Sequence, residues 1–226
     1  MPRETLDRQI HHLQDEVLLL GSMVEQAILN AVDALKRRDV PTAKRIYADD
    51  IRINEKRYAL ENALIIIMAT QQPMARDLRL LASVLETIIE LERMGDYAKG
   101  IAKTAMLLGD QAVPMPIREF EQMAELVSQQ LHKALSAFVS EDANLARTIV
   151  ENDDKIDELY LKAYRAIVAS MIANPEIIDQ ANLLLWVDHN LERAGDRVTN
   201  ICERCVYVVT GELYELDTDD NEETTY

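Results

Sequence analysis

Glycine and proline are scarce in this sequence, which carries six of each among 226 residues. Sheet-rich folds use both residues repeatedly in tight turns, so this scarcity argues against a β-sandwich and against an α/β fold. The residues that dominate instead are Leu, Ala, Glu, Arg and Ile, a composition typical of helices. We therefore predict an all-α fold.

Long apolar runs and a secretory signal are also missing. The longest apolar run, Ala63–Ala69, is about a third of the ~20 residues that a membrane-spanning helix needs. The two cysteines and the lack of a signal segment indicate a reducing compartment. We expect a soluble chain with no direct membrane insertion, whose link to a membrane would run through a partner protein.

Basic residues are outnumbered, with 24 Lys and Arg against 40 Asp and Glu, which gives a net charge of −16. Nucleic acid and anionic membrane surfaces both repel a protein of this charge. The composition therefore argues against either as the main partner, whereas metal cations and basic protein surfaces remain suitable ones.

Helix-breaking and capping residues divide the chain into six long helical stretches. The predicted helices run over about 5–38, 42–69, 74–108, 117–139, 140–174 and 175–210. Ser140 is predicted to cap the fifth helix, with Glu141 and Asp142 in its first turn. The proline-containing loop 111–116 separates a first unit (5–110) from a second (116–210), and 211–226 is predicted to be an acidic, disordered tail.

The two units repeat one another. The hexapeptide Leu-Glu-Arg-x-Gly-Asp occurs at Leu91–Asp96 and again at Leu191–Asp196, and Asp50 recurs 103 residues later as Asp153. The offset is 100 residues in the hexapeptide, and the change falls in the turn between the second and third helices of a unit, where length changes are tolerated. We predict two tandem three-helix bundles related by internal duplication.

The hexapeptide carries a pair of carboxylates on one helix face. Glu92 and Asp96 are four residues apart, so their Cβ atoms lie about 5–6 Å from each other on the rim of the buried stripe. The second helix of each unit offers a similar pair, and side-by-side packing would bring four oxygen donors together. The candidate metal ligands are Asp50, Asn54, Glu92 and Asp96 in the first unit, and Asp153, Asp157, Glu192 and Asp196 in the second.

Oxygen ligands without sulfur suit Mg, Ca, Mn or Fe, whereas Zn usually recruits Cys or His. The alternative is that these carboxylates are neutralised in salt bridges by nearby bases, namely Arg57, Arg93, Lys155 or Arg193. His189 lies one turn before Glu192 and could add a ligand, although its counterpart is Ile89. No Glu-x-x-His motif occurs, which disfavours a diiron oxidase.

Two other features are predicted to serve packing. Cys202 and Cys205 form a Cys-x-x-Cys pair, but their counterparts are Ala102 and Ala105, which indicates small core residues rather than a redox motif. Trp186 is predicted to pack as well. The mid-helix glycines Gly95 and Gly195 indicate a close backbone approach at the same place in both units.

The doubled motif resembles the PhoU family of phosphate-transport regulators over residues 5–210. The residues that carry the resemblance are Asp50-x-x-Ile53-Asn54, Leu91–Asp96 with Tyr97-Ala98-Lys99, Asp153-x-x-Ile156-Asp157, and Leu191–Asp196 with Asn200-Ile201. The resemblance implies a cytoplasmic, non-enzymatic negative regulator of phosphate uptake and phosphate-starvation signalling. Such proteins link the ATPase subunit of the phosphate ABC transporter to a sensor histidine kinase, and family members often form homodimers.

The resemblance also implies metal binding through the Glu/Asp-x-x-x-Asp motifs, with iron clusters above all, and leaves Mg, Mn, Ca and Zn open. Asn54 stands where the family pattern has Asp, and Gly100 stands opposite Asn200, so we expect the second unit to bind metal more tightly. Two alternatives remain: a carboxylate-bridged multinuclear metalloenzyme or metal-storage bundle, and a purely structural helical scaffold.

Overall fold

A computed structural model describes residues 2–150, 154–213 and 215–216, and over these residues it contains α-helices and no strand. The helices are α1 Pro2–Arg37, α2 Val40–Gln71, α3 Ala75–Leu108, α4 Ile117–Ser140, α5 Ala143–Val150, α6 Asp154–Ala173 and α7 Ile178–Thr210. A 3₁₀ turn, Pro175–Ile177, precedes α7. The all-α prediction is confirmed. Helices α5 and α6 stand where one long fifth helix was predicted, and residues 151–153 between them lie outside the described residues.

The helices form two three-helix units that pack against each other, with α5 and α6 together in the place of the second unit's middle helix. Helices α1, α2 and α3 pack on one another, and α4 and α7 pack with α5 and α6. The units meet where α1 packs on α4 and α3 packs on α7. Within the described chain, α2 contacts α1 and α3 alone, so the middle helix of the first unit lies on the outer flank, and α6 has the equivalent place in the second. The predicted duplicated architecture is confirmed.

Helix α1 buries one apolar stripe at helical spacing, which includes Val17, Leu20, Val24 and Ile28, all fully buried. The segment Glu4–Arg37 is long and apolar enough to cross a membrane by length and composition alone. A core helix of a soluble protein meets the same criterion. The burial of this stripe against the rest of the bundle accounts for its apolar character.

Each unit turns from its first to its second helix in the same way. Arg38 and Glu141 take left-handed backbone conformations, with φ of 54° and 53°. The next residue then caps the following helix. The Asp39 carboxylate accepts from the N–H of Thr42 at 2.9 Å, and the Asp142 carboxylate accepts from the N–H of Leu145 at 3.0 Å.

The prediction of Ser140 as the cap is therefore wrong. Helix α4 runs through Ser140, whose hydroxyl donates to the Ser136 carbonyl one turn back at 2.8 Å. The cap is Asp142, two residues later, whose carboxylate accepts from free N–H groups in the first turn of α5. This is the ordinary capping geometry.

Small residues allow the two units to approach closely. A Cβ at Gly21 of α1 would overlap the Leu135 side chain of α4, and a Cβ at Gly100 of α3 would lie 2.8 Å from Nδ2 of Asn190 on α7. Beyond α7, the N–H of Leu216 donates to the Glu203 carboxylate at 2.9 Å. The rest of the predicted acidic tail, Tyr214 and 217–226, lies outside the described residues.

Candidate metal centre

The first-unit cluster forms where α2 and α3 come closest. A Cβ at Gly95 would lie 3.1 Å from Cγ2 of Ile53, so this glycine permits the approach that the sequence indicated. A mid-helix glycine costs about 1 kcal/mol relative to alanine, which the packing here offsets. Asp50 on α2 thereby lies close enough to Glu92 and Asp96 on α3 for its charge to act on both.

Protein cations neutralise the first-unit cluster. Buried Asp50 accepts from Nζ of Lys99 at 2.7 Å and from Nδ2 of Asn54 at 3.0 Å. Nη1 of Arg57 lies 3.3 Å from Oε1 of Glu92. Two of the first-unit carboxylates thus form the kind of ion pair that the salt-bridge alternative describes. Arg57 was among the bases considered, whereas Lys99 was not.

Glu92 and Asp96 of the first unit nevertheless have raised pKa values. Burial raises the pKa of Glu92, and the neighbouring Asp96 raises it further. Burial and the charge of Asp50 raise the pKa of Asp96. The hydrogen bond to Asp50 raises the pKa of Lys99, which holds the ammonium in its charged form.

The second-unit cluster lies between α6 and α7 and is balanced less well. Burial raises the pKa of Glu192 to about 7, and the charges of Asp196 and Asp157 contribute to the rise. Oε2 of Glu192 is buried and accepts no hydrogen bond from the described part of the chain. Nδ1 of His189 lies 3.4 Å away, which makes an ion pair only when the imidazole is protonated. Asp153 lies outside the described residues.

The two units differ in the residues that could balance the carboxylates. Arg57 and Lys99 of the first unit correspond to Tyr160 and Thr199 in the second. Both positions thus change from a cation to a neutral hydroxyl side chain. On the exposed side of the second cluster, Nη1 of Arg193 lies 3.1 Å from Oδ2 of Asp196.

A carboxylate that the sequence analysis did not single out, Asp188, lies one turn before Glu192. Its side chain is fully buried, and neither oxygen has a hydrogen-bond partner among the described residues. Burial raises its pKa to about 8, with a contribution from the charge of Glu192. The available signal was the repeat itself, because the counterpart of Asp188 in the first unit is the core residue Ile88.

A buried ion pair between the units was also missed. Glu90 of α3 accepts from Nη1 of Arg197 and from Nδ2 of Asn200, each at 3.2 Å. The sequence analysis expected Asn200 to favour metal binding in the second unit. In the structure its amide reaches across to the first unit, because α3 and α7 pack directly together.

The prediction of core packing is confirmed for the two cysteines but not for the tryptophan. Cys202 and Cys205 are fully buried, and burial raises the pKa of Cys205 to about 12, as expected for core packing. Trp186, which was predicted to pack, is 58% exposed and contacts His189 edge-on at 6.2 Å between ring centroids. That prediction is wrong because Trp186 lies on the outer face of α7.

No group of three or more His, Cys, Asp and Glu side chains within the described ranges lies close enough to hold a metal ion as arranged. The two clusters nevertheless differ in their fit to a metal. Asp50 and Glu92 are bound to protein cations. Both Asp188 oxygens and Oε2 of Glu192 are buried without partners. A buried, unpaired carboxylate requires either a proton or a cation, so the second unit fits a hard cation better than the first.

These features define a class of protein: a duplicated three-helix bundle with an acidic seam between the last two helices of each unit. The model of the PhoU domain matches residues 17–105 and again 120–205. The chain belongs to the PhoU family.

Characterised relatives agree with this assignment. A PhoU homologue of the phosphate-specific transport system from Clostridium acetobutylicum is 31% identical over 218 residues, which covers 96% of this chain and 100% of the relative. A homologue from Caulobacter vibrioides is 35% identical over 206 residues, which covers 90% of this chain and 89% of the relative. The crystal structure of PhoU from Pseudomonas aeruginosa superposes with a TM-score of 0.85 at 31% identity, covering 91% of this chain and 99% of that one.

Proposed function

We propose that this protein is a non-enzymatic negative regulator of phosphate uptake and phosphate-starvation signalling. It acts in the cytoplasm, at the membrane only through its partners, as an adaptor between the ATPase subunit of a phosphate ABC transporter and a sensor histidine kinase. The match of the PhoU domain to both units carries the proposal. The relatives in Clostridium acetobutylicum and Caulobacter vibrioides are named accessory proteins of the phosphate-specific transport system.

The outer surface of α2 supports a role in protein binding. Ile51, Tyr58 and Ile65 are 61%, 55% and 58% exposed and recur every seven residues along the helix. Several large apolar side chains exposed on one face of a helix suit contact with another protein. Such a surface suits an adaptor and also suits the homodimer that we propose.

We further propose that the acidic seam of the second unit holds a metal cation, through Asp157, Glu192 and Asp196 together with Asp153. Iron is the first candidate, with Mg, Mn, Ca and Zn as alternatives. A bound cation would relieve the repulsion among these carboxylates and attach α6 to α7. In the first unit, Arg57 and Lys99 already pair with carboxylates across α2 and α3. A metal at Asp50, Asn54, Glu92 and Asp96 would therefore bind more weakly.

Binding of the full chain to the transporter ATPase, measured by calorimetry with and without phosphate and metal, tests the adaptor role. We expect binding that depends on phosphate. Failure to bind under any of these conditions would overturn the role. Turnover of oxygen or a phosphoester that is lost on chelation would instead favour the metalloenzyme alternative.

A further inference from the structure

Three carboxylates follow one another along one face of α7, at every fourth position: Asp188, Glu192 and Asp196. The corresponding residues of α3 are Ile88, Glu92 and Asp96. Residues four apart lie on the same face of a helix, about 5–6 Å from each other at Cβ. The second unit therefore presents one more carboxylate than the first, one turn closer to the start of the helix.

The extra carboxylate is not on the rim of the bundle. Asp188 is 0% exposed, and both of its oxygens lack a hydrogen-bond partner among the residues that the structure describes. A buried carboxylate without compensation is among the most unfavourable arrangements in a protein. Oε2 of Glu192, one turn away, is buried and without a hydrogen bond in the same way.

The charged group that acts on Asp188 is Glu192. The phenol of Tyr160 on α6 lies near enough for the charges of both carboxylates to raise its pKa. Arg193 and Arg197 act on Glu192, but Arg193 pairs with Asp196 and Arg197 is bound to Glu90 of the first unit. Asp188 thus has no cationic partner among the described residues, and a bound cation would supply one.

We propose that Asp188 and Glu192 bind a divalent cation of the oxygen-preferring class, such as Mg²⁺ or Mn²⁺, one helical turn deeper than the Glu192–Asp196 pair. Two carboxylates match the charge of one divalent ion, and the Tyr160 hydroxyl and water complete the oxygen ligands. The first unit has no such site, because the position of Asp188 is occupied there by Ile88. This inference deepens the metal binding proposed above for the second unit.

Titration of the metal-stripped full chain with Mn²⁺, followed by calorimetry and by thermal unfolding, tests the site. The variants are Asp188→Asn, which keeps the shape and removes the charge, and Asp188→Ile, which restores the residue of the first unit. The matched control is Asp179→Asn, an exposed carboxylate near the start of the same helix. Circular dichroism establishes that each variant folds, and both Asp188 variants remove an unpaired buried charge.

We expect the unchanged protein to bind Mn²⁺ and to unfold at a higher temperature with it. Both Asp188 variants should lose about tenfold or more in affinity, since the number of charged ligands sets affinity at such sites. They should also lose most of the thermal shift, whereas Asp179→Asn should keep both the affinity and the shift.

Unchanged Mn²⁺ affinity in both Asp188 variants, together with its loss in Asp196→Asn, would overturn this inference and leave the proposed metal binding intact. Absence of Mn²⁺ binding by the unchanged protein would overturn the site itself, while the adaptor role would still be decided by the ATPase measurement.

Discussion

Arg57 pairs with Glu92 across the seam between α2 and α3, with 3.3 Å between Nη1 and Oε1. The same position in the second unit is Tyr160, a neutral phenol near enough to Asp188 and Glu192 for their charges to raise its pKa. An uncharged side chain thus stands where the first unit has a guanidinium.

We expect Tyr160→Arg to supply the second unit with a counter-charge of its own. The guanidinium would compete with a metal for Asp188 and Glu192, so Mn²⁺ affinity should fall about tenfold or more. The matched control is Tyr164→Arg, one turn along α6, where the side chain is 43% exposed. Equal losses in both variants, measured by calorimetry, would contradict the specific role of this position.

The stability of the metal-free protein should fall as the pH rises from about 4 to about 8. The folded-state pKa of Asp188 is about 8 and that of Glu192 about 7, against ordinary values of 3.8 and 4.5. The folded chain holds protons that the unfolded chain has released in this range, so stability present below pH 4 is lost by pH 8. We expect a loss of roughly 2–4 kcal/mol.

Denaturant unfolding of chelated protein at pH 5 and pH 8 measures this change. Asp188→Asn should reduce the pH dependence across this interval and leave the part that Glu192 contributes. An unchanged pH dependence in that variant would contradict the contribution of Asp188.

Removal of the buried cation between the units should destabilise the whole bundle. Arg197→Met would leave Glu90 buried with the Asn200 amide as a hydrogen-bond donor but with no counter-charge, at a cost of roughly 3 kcal/mol. Arg37→Met, which breaks an exposed pair with Asp33, should cost less than about 1 kcal/mol. Urea unfolding compares the two, and similar costs would contradict a structural role for the Glu90–Arg197 pair.

The two cysteines should be inert in the folded protein. Both are fully buried, and burial raises the pKa of Cys205 to about 12, so little thiolate forms at neutral pH. Iodoacetamide should therefore modify neither cysteine until denaturant is added, as mass spectrometry would detect. Rapid modification in native buffer would mean that α7 opens readily.

The duplication, the helix class and the seam that contains Glu92 and Asp96 could be predicted because each depends on residue spacing. The partners of these carboxylates could not, since the pairing of Lys99 with Asp50 depends on how two helices meet. Asp188 could not be predicted as a site residue because a single carboxylate in an apolar row reads as an exception to the pattern. Its burial is set by the helices that pack on α7, which the spacing within α7 does not reveal.

The outer position of the middle helices has a consequence for signalling. Ion pairs of Arg57 with Glu92 and of Lys99 with Asp50 link α2 to α3. The metal site that we propose for the second unit would link α6 to α7 only while its cation is bound. A partner protein that contacts the outer helices of both units would then meet one fixed distance and one that varies with the metal supply of the cell. The first unit would thus serve as a fixed reference for the second.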